Sequence, residues 1–180
     1  MKGQFFIIGA LMVCIAMFFG LPPEIGIAST YSDDMAAAGG NLGAELPHAM
    51  NLGINGSGAV PTLVNFTSYA KQTLAARRMS IESFWVVFES EGSTLNVTVG
   101  NFLGSERTFY IDVSGSPVAM TAGDGQTNST ILSVSGPVLN VTVSAGGSER
   151  AFVIPAGKSS LYSEVTLRRG GDAARKEILA

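Results

Sequence analysis

The segment Leu95-Asn96-Val97-Thr98-Val99 returns letter for letter as Leu139-Asn140-Val141-Thr142-Val143. The Gly104-Ser105-Glu106-Arg107 that follows the first copy returns as Gly147-Ser148-Glu149-Arg150 after the second. Within each copy the apolar residues alternate with Asn and Thr. This period of two puts Leu and Val on one face of a strand and the polar pair on the other. Each copy then enters another alternating stretch, Thr108 to Val113 or Ala151 to Ile154. A strand, turn, strand unit used twice has to bury one face against a second layer. Two copies are too few to stack as a solenoid or a propeller.

The neighbouring sequence extends the pattern. Phe84-Trp85-Val86-Val87-Phe88 is apolar at every position, which predicts a strand buried on both faces, with the preceding helix covering one of them. Core packing accounts for Trp85, Phe84 and Phe88 without a binding groove. That helix is predicted to open at Pro61, with Leu63, Phe66, Ala70, Leu74 and Arg77 spaced by three or four. Arg77 and Arg78 at its C-terminal end complement the helix dipole. Further strands are predicted at Ile81 to Glu89, Pro117 to Thr121, Thr127 to Val134 and Leu161 to Leu167. The fold class expected is mainly β, an antiparallel immunoglobulin-like β-sandwich over residues 62–168 that includes the preceding helix. Residues 24–61, rich in Gly, Ala, Asn and Asp, read as an extended connector with one short helix near Leu46 to Leu52. Residues 169–180 read as a C-terminal tail, frayed or in a short helix.

Composition narrows the function classes. Charged residues are 14% of the chain and the formal net charge is −3, with Arg77-Arg78 and Arg168-Arg169 as the densest basic stretches. That is no nucleic-acid footprint. Cys14 is the one cysteine, so no intrachain disulfide can form. The catalytic inventory is poor. His48 has only Glu45 near it at ligand spacing and reads as a solvent-facing or interface residue. Asp33, Asp34, Asp112 and Asp124 lie in no loop with alternating oxygen ligands. Residues 53–58 are glycine-rich but lack the spacing of a phosphate loop. No enzyme activity, metal site or cofactor is expected.

Phe5 to Leu21 carry no charge, are preceded by Lys2 and are followed by Pro22, Pro23 and Glu24. As a helix this run is roughly 25 Å long, the short end of what spans a bilayer. The lysine before it and the acid after it orient the chain with its N-terminus inside and the remainder outside. Gly26-Ile27-Ala28 also fits the small-residue site of a secretory signal, although the run exceeds a usual signal core.

The short leader ending Lys2-Gly3, then Gln4 and an unbroken apolar run, resembles the class III leader of archaeal type IV pilins and related surface proteins. The resemblance covers about the first two dozen residues. It implies cleavage after Gly3, Gln4 as the new N-terminus, and an assembly helix. The apolar side chains of that helix are Phe5, Phe6, Ile7, Ile8, Leu11, Met12, Val13, Ile15, Met17, Phe18 and Phe19. It further implies self-association into a homopolymer after a stage in the membrane. Ile8 stands where bacterial pilins carry a glutamate, and Pro22-Pro23 ends the helix earlier than in many pilins. Gly9, Ala10, Ala16 and Gly20 permit close helix approach in a bundle or in a lone anchor alike.

Five of the eight asparagines, Asn55, Asn65, Asn96, Asn128 and Asn140, stand in Asn-X-Ser/Thr. On an exported chain these are acceptors for N-linked glycans. The combined expectation is a cell-surface glycoprotein, the subunit of an extracellular pilus-like filament. Two alternatives use the same residues: a membrane-anchored monomeric surface or adhesive module, and a secreted binding module released after Ala28.

Overall fold

The computed structural model describes residues 30–180, and side chains from residue 34 onward. The hydrophobic helix expected over 1–23, with its processing and assembly residues, lies outside the described residues. Among the described residues two helices, α1 (Thr30–Ile54) and α2 (Ala59–Ala76), precede nine strands. These are β1 (Ser80–Glu91), β2 (Thr94–Phe102), β3 (Arg107–Val113), β4 (Ser116–Ala122), β5 (Gln126–Ser133), β6 (Val138–Ala145), β7 (Ser148–Pro155), β8 (Ser160–Arg169) and β9 (Asp172–Leu179). The chain is therefore mainly β. Its first antiparallel sheet has the order β5-β2-β1-β8-β9, and the second has β4-β3-β6-β7.

Two apolar layers hold these elements. One lies between the sheets: Phe84, Val86 and Phe88 of β1 and Leu95, Val97 and Val99 of β2 meet Phe109, Ile111, Leu139, Val141, Val143 and Ile154. Phe109, Phe84, Tyr162, Phe152 and Phe88 run through it as a chain of ring contacts with centroids 5.0–6.1 Å apart. The other layer lies between the helices and the first sheet, where Leu46, Met50, Leu63 and Leu74 cover Trp85, Val87, Leu161 and Val165. The strand apolar on both faces is thus buried on both faces, as its sequence predicts.

Three expectations are corrected. Residues 30–54, read as a connector, form a helix of 25 residues with Pro47 inside it. Met35, Leu42, Leu46, Ala49 and Met50 make its buried stripe, spaced by seven, four, three and one. Of its glycines, Gly53 is the one the packing requires: a Cβ there would lie 2.8 Å from the Cα of Ala59, whereas at Gly39 and Gly43 it would make ordinary contacts with Leu167 and Lys176. Gly53 lets α2 fold back against α1, and burial of the apolar stripe outweighs the poor helix propensity of the glycines.

The second correction is the C-terminus. Instead of a tail, β9 pairs with β8 along its whole length, and Ala180 exchanges two backbone hydrogen bonds with Leu161. As an edge strand it needs few apolar residues, and of its side chains only Ile178 is buried.

The third concerns the repeat. β6 and β7 form the expected hairpin around Gly146-Gly147, whereas β2 and β3 do not pair: β2 belongs to the first sheet and β3 to the second. The first copy has Gly100-Asn101-Phe102-Leu103 where the second has only Ser144-Ala145-Gly146. One extra residue turns the chain across the apolar layer instead of back along it. In both copies Leu, Val and Val face the same layer, from opposite sheets.

Candidate assembly and modification surface

The five sequon asparagines occupy different environments. Asn55 follows α1 in an exposed turn and donates its amide to the Asn51 carbonyl at 2.9 Å. Asn65 is exposed on α2, but its partner Thr67 is buried and donates to the Leu63 carbonyl at 2.7 Å. Asn96 is half-buried on β2 beside Glu89, and its Thr98 is 1% exposed. Asn128, on edge strand β5, donates to the Thr121 carbonyl of β4 at 2.9 Å, linking the sheets along that side. Asn140 is exposed on the outer face of β6, and Ser114 Oγ accepts its backbone N–H at 3.2 Å. Among the described residues nothing bonds the Asn140 side-chain amide. Asn96 and Asn140 are equivalent by sequence, yet only the second is exposed.

The opposite side of the two sheets is closed by charge. Arg150 of β7 donates to Glu177 of β9 at 2.7 Å, and Arg175 donates to Glu164 at 2.6 Å and to Ser148 Oγ at 2.7 Å. The hydrogen bond from Arg150 holds the Glu177 carboxyl below its ordinary value, and the same bond raises Arg150. Tyr162 lies just inside this rim. Burial, with Glu164 and Glu177 nearby, pushes its phenol up to about 12.

The crossing from β2 to β3 is clamped by residues that no motif marks. Asn101, fully buried, donates to the carbonyls of Ser105 at 2.8 Å and Ala122 at 2.7 Å, and accepts the Leu103 N–H at 3.0 Å. Asp124 accepts the Gly104 N–H at 2.8 Å and the Lys71 ammonium of α2 at 3.1 Å. Burial raises the Asp124 pKa, but these donors outweigh it and hold the carboxyl below its ordinary value. The only sequence signal for this clamp is the extra residue of the first repeat.

The acids weighed for metal binding have structural work: Asp112 accepts the Gly115 N–H in the β3–β4 turn, and Asp124 serves the crossing. Asp34 pairs with Arg169 at 3.3 Å, and the Asp33 side chain lies outside the described residues. His48 and Glu45 are exposed on α1. Among the described residues no group of His, Cys, Asp and Glu is placed to hold a metal, and no helix is long and apolar enough to cross a membrane. The second sheet carries a shallow open depression of about 370 Å³ on its outer face, lined by Tyr110, Asp112, Val118, Thr142, Ser144 and Glu149. Gly3, Gln4 and the apolar residues from Phe5 to Phe19 fall outside the described residues. No protein-family model matches the chain, and no curated protein matches it.

Proposed function

We propose that this chain is the structural subunit of an extracellular pilus-like filament, with its N-terminal apolar segment as the assembly element and its β-domain as the outer wall. The observation that carries the proposal is the leader: Lys2-Gly3-Gln4 followed by seventeen uncharged residues. The described residues support it in two ways. Helix α1 packs on the first sheet through Met35, Leu42 and Leu46, so residues 30–54 form a packed helix and not a loose linker. The surface chemistry also suits a wall: the outer face of the second sheet presents Thr108, Thr121, Thr142, Ser144 and Asn140 beside the exposed Tyr110, Val138 and Val153.

Assembly would be driven by burying the apolar side chains from Phe5 to Phe19 against copies of themselves, at roughly 25 cal/mol per Å² of apolar surface. The finer reading of the β-domain belongs to the same proposal: two facing antiparallel sheets with alternating inner residues make an immunoglobulin-like sandwich, here of nine strands. Localisation at the cell surface and N-linked glycosylation follow from export of this domain.

One observation favours a second reading. Pro22-Pro23 limits the apolar run to a length that matches a single bilayer crossing, as a monomeric membrane-anchored surface module would need. Electron microscopy of cells producing the Ala10→Asp variant separates the two. Loss of filaments that the unaltered chain forms supports assembly through this segment, and filaments persisting in the variant sink it.

A further inference from the structure

We infer that Asn140 is the glycan acceptor of the β-domain, and that its glycan covers an apolar strip on the edge of the second sheet. The inference rests on the export that the filament reading requires and goes beyond it by naming the site and its purpose.

Val138 and Asn140 are two residues apart on β6 and share its outer face. The strand register sets Pro155 opposite Val138 and Val153 opposite Asn140. These four residues form one block. Val138 is 52% exposed and Val153 is 55% exposed. Val153 and Pro155 belong to β7, the edge strand of the second sheet. Exposed β-branched side chains on an edge strand invite pairing with another chain, and edges are ordinarily blunted with charge, with proline or by a cover. Pro155 ends the strand, but the block contains no charge, and Asn140 is its only polar member.

Directly opposed residues on one face have Cβ atoms about 4.5–5.5 Å apart, so a sugar on Asn140 Nδ2 begins within reach of Val153. A pyranose ring is suited to that position. Its C–H face can lie on the valine methyl groups while its hydroxyls point to water, and the glycan adds solubilising bulk. The other sequons are worse placed. The amides of Asn55 and Asn128 are engaged by backbone carbonyls, Asn96 is half-buried, and the Thr67 hydroxyl of the Asn65 sequon is committed inside α2.

The step is a group transfer from a lipid-linked oligosaccharide phosphate. A bond forms between Asn140 Nδ2 and C1 of the first sugar, the bond from C1 to the phosphate oxygen breaks, the amide gives up one proton, and the lipid phosphate leaves. No oxidation or reduction occurs.

The test is peptide mapping by mass spectrometry of the full chain from its own cells, followed by sedimentation of the detergent-solubilised chain and its variants. Asn140 is expected to carry a glycan in most chains, with Asn65 and Asn96 bare. Asn140→Gln, and independently Thr142→Ala, should each raise self-association several-fold, and adding Val138→Thr with Val153→Thr should return it to the starting level. Bare Asn140, unchanged self-association in both sequon variants, or failure of the threonine pair to reverse it would overturn the inference. The same digest reports the N-terminal peptide: a chain starting at Gln4 with bare Asn140 defeats this inference alone. A chain starting at Ser29 defeats the filament reading whatever Asn140 carries.

Discussion

Trp85 lies directly opposite Gly100 in the β1–β2 register, and its indole occupies the space a Cβ on Gly100 would need. The six-membered ring covers the glycine so closely that no larger residue fits. This contact sits in the layer between helices and sheet, where Trp85 is fully buried. Gly100→Ala must therefore displace the largest buried side chain of the domain. The expected cost is about 1–3 kcal/mol, the usual range for overpacking a tight core. A thermal melt should show a fall of about 2–4 °C for each kcal/mol in a domain of this size. An unchanged melting temperature would mean that the indole lies elsewhere.

Leu46 separates a packed helix from a loose connector. It is 3% exposed against the first sheet, so Leu46→Ala should cost about 2–5 kcal/mol in denaturant unfolding, through lost burial and the cavity left behind. If residues 30–54 were an extended linker, the substitution would be silent.

Asn101 holds the sheet-to-sheet crossing through three hydrogen bonds. Asn101→Ala strands the buried Ala122 carbonyl, at about 1–3 kcal/mol for a buried group left without a partner, and releases the more accessible Ser105 carbonyl and Leu103 N–H. Hydrogen exchange is expected to rise at Leu103 and Gly104 in particular. A uniform rise over the whole domain would contradict a local clamp.

Tyr162 makes the domain sensitive to alkali. Its phenol titrates near 12 in the folded chain because of burial and the nearby Glu164 and Glu177, against about 10 when unfolded. Below pH 10 both states hold the proton and nothing is lost. Between pH 10 and 12 the unfolded chain gives it up first, so stability falls as pH rises through that window. Tyr162→Phe should flatten this part of the curve relative to the unaltered protein. Melting temperatures recorded from pH 9 to 12 on both proteins check it, and parallel curves would refute it.

The strands were legible because burial on one face writes a period of two into the sequence. Leu95, Val97 and Val99 face the layer between the sheets where their alternation says they should, and Phe84 to Phe88 show burial on both faces. Helix α1 was not legible. Gly39, Gly43 and Pro47 oppose helix locally, and much of the sheet surface that rewards the apolar stripe of this helix is more than a hundred residues away in sequence, at Leu161, Val165 and Leu167. Strand β9 was hidden for a related reason, since an edge strand carrying Arg175 and Glu177 has a surface composition. The repeat showed two units of strand, turn and strand, but a single extra residue decided that one of them changes sheets. Sequons can be read directly. Their worth as acceptors cannot, because Asn96 and Asn140 differ only in what the fold lays beside them.

Assembly through a processed N-terminal segment is tested by the mass of the N-terminal peptide of the protein isolated from its own cells. A chain beginning at Gln4, as glutamine or its cyclised pyroglutamyl form, with residues 5–21 retained, is expected. A chain beginning at Ser29 would show that the apolar run is discarded and would rule out assembly through it.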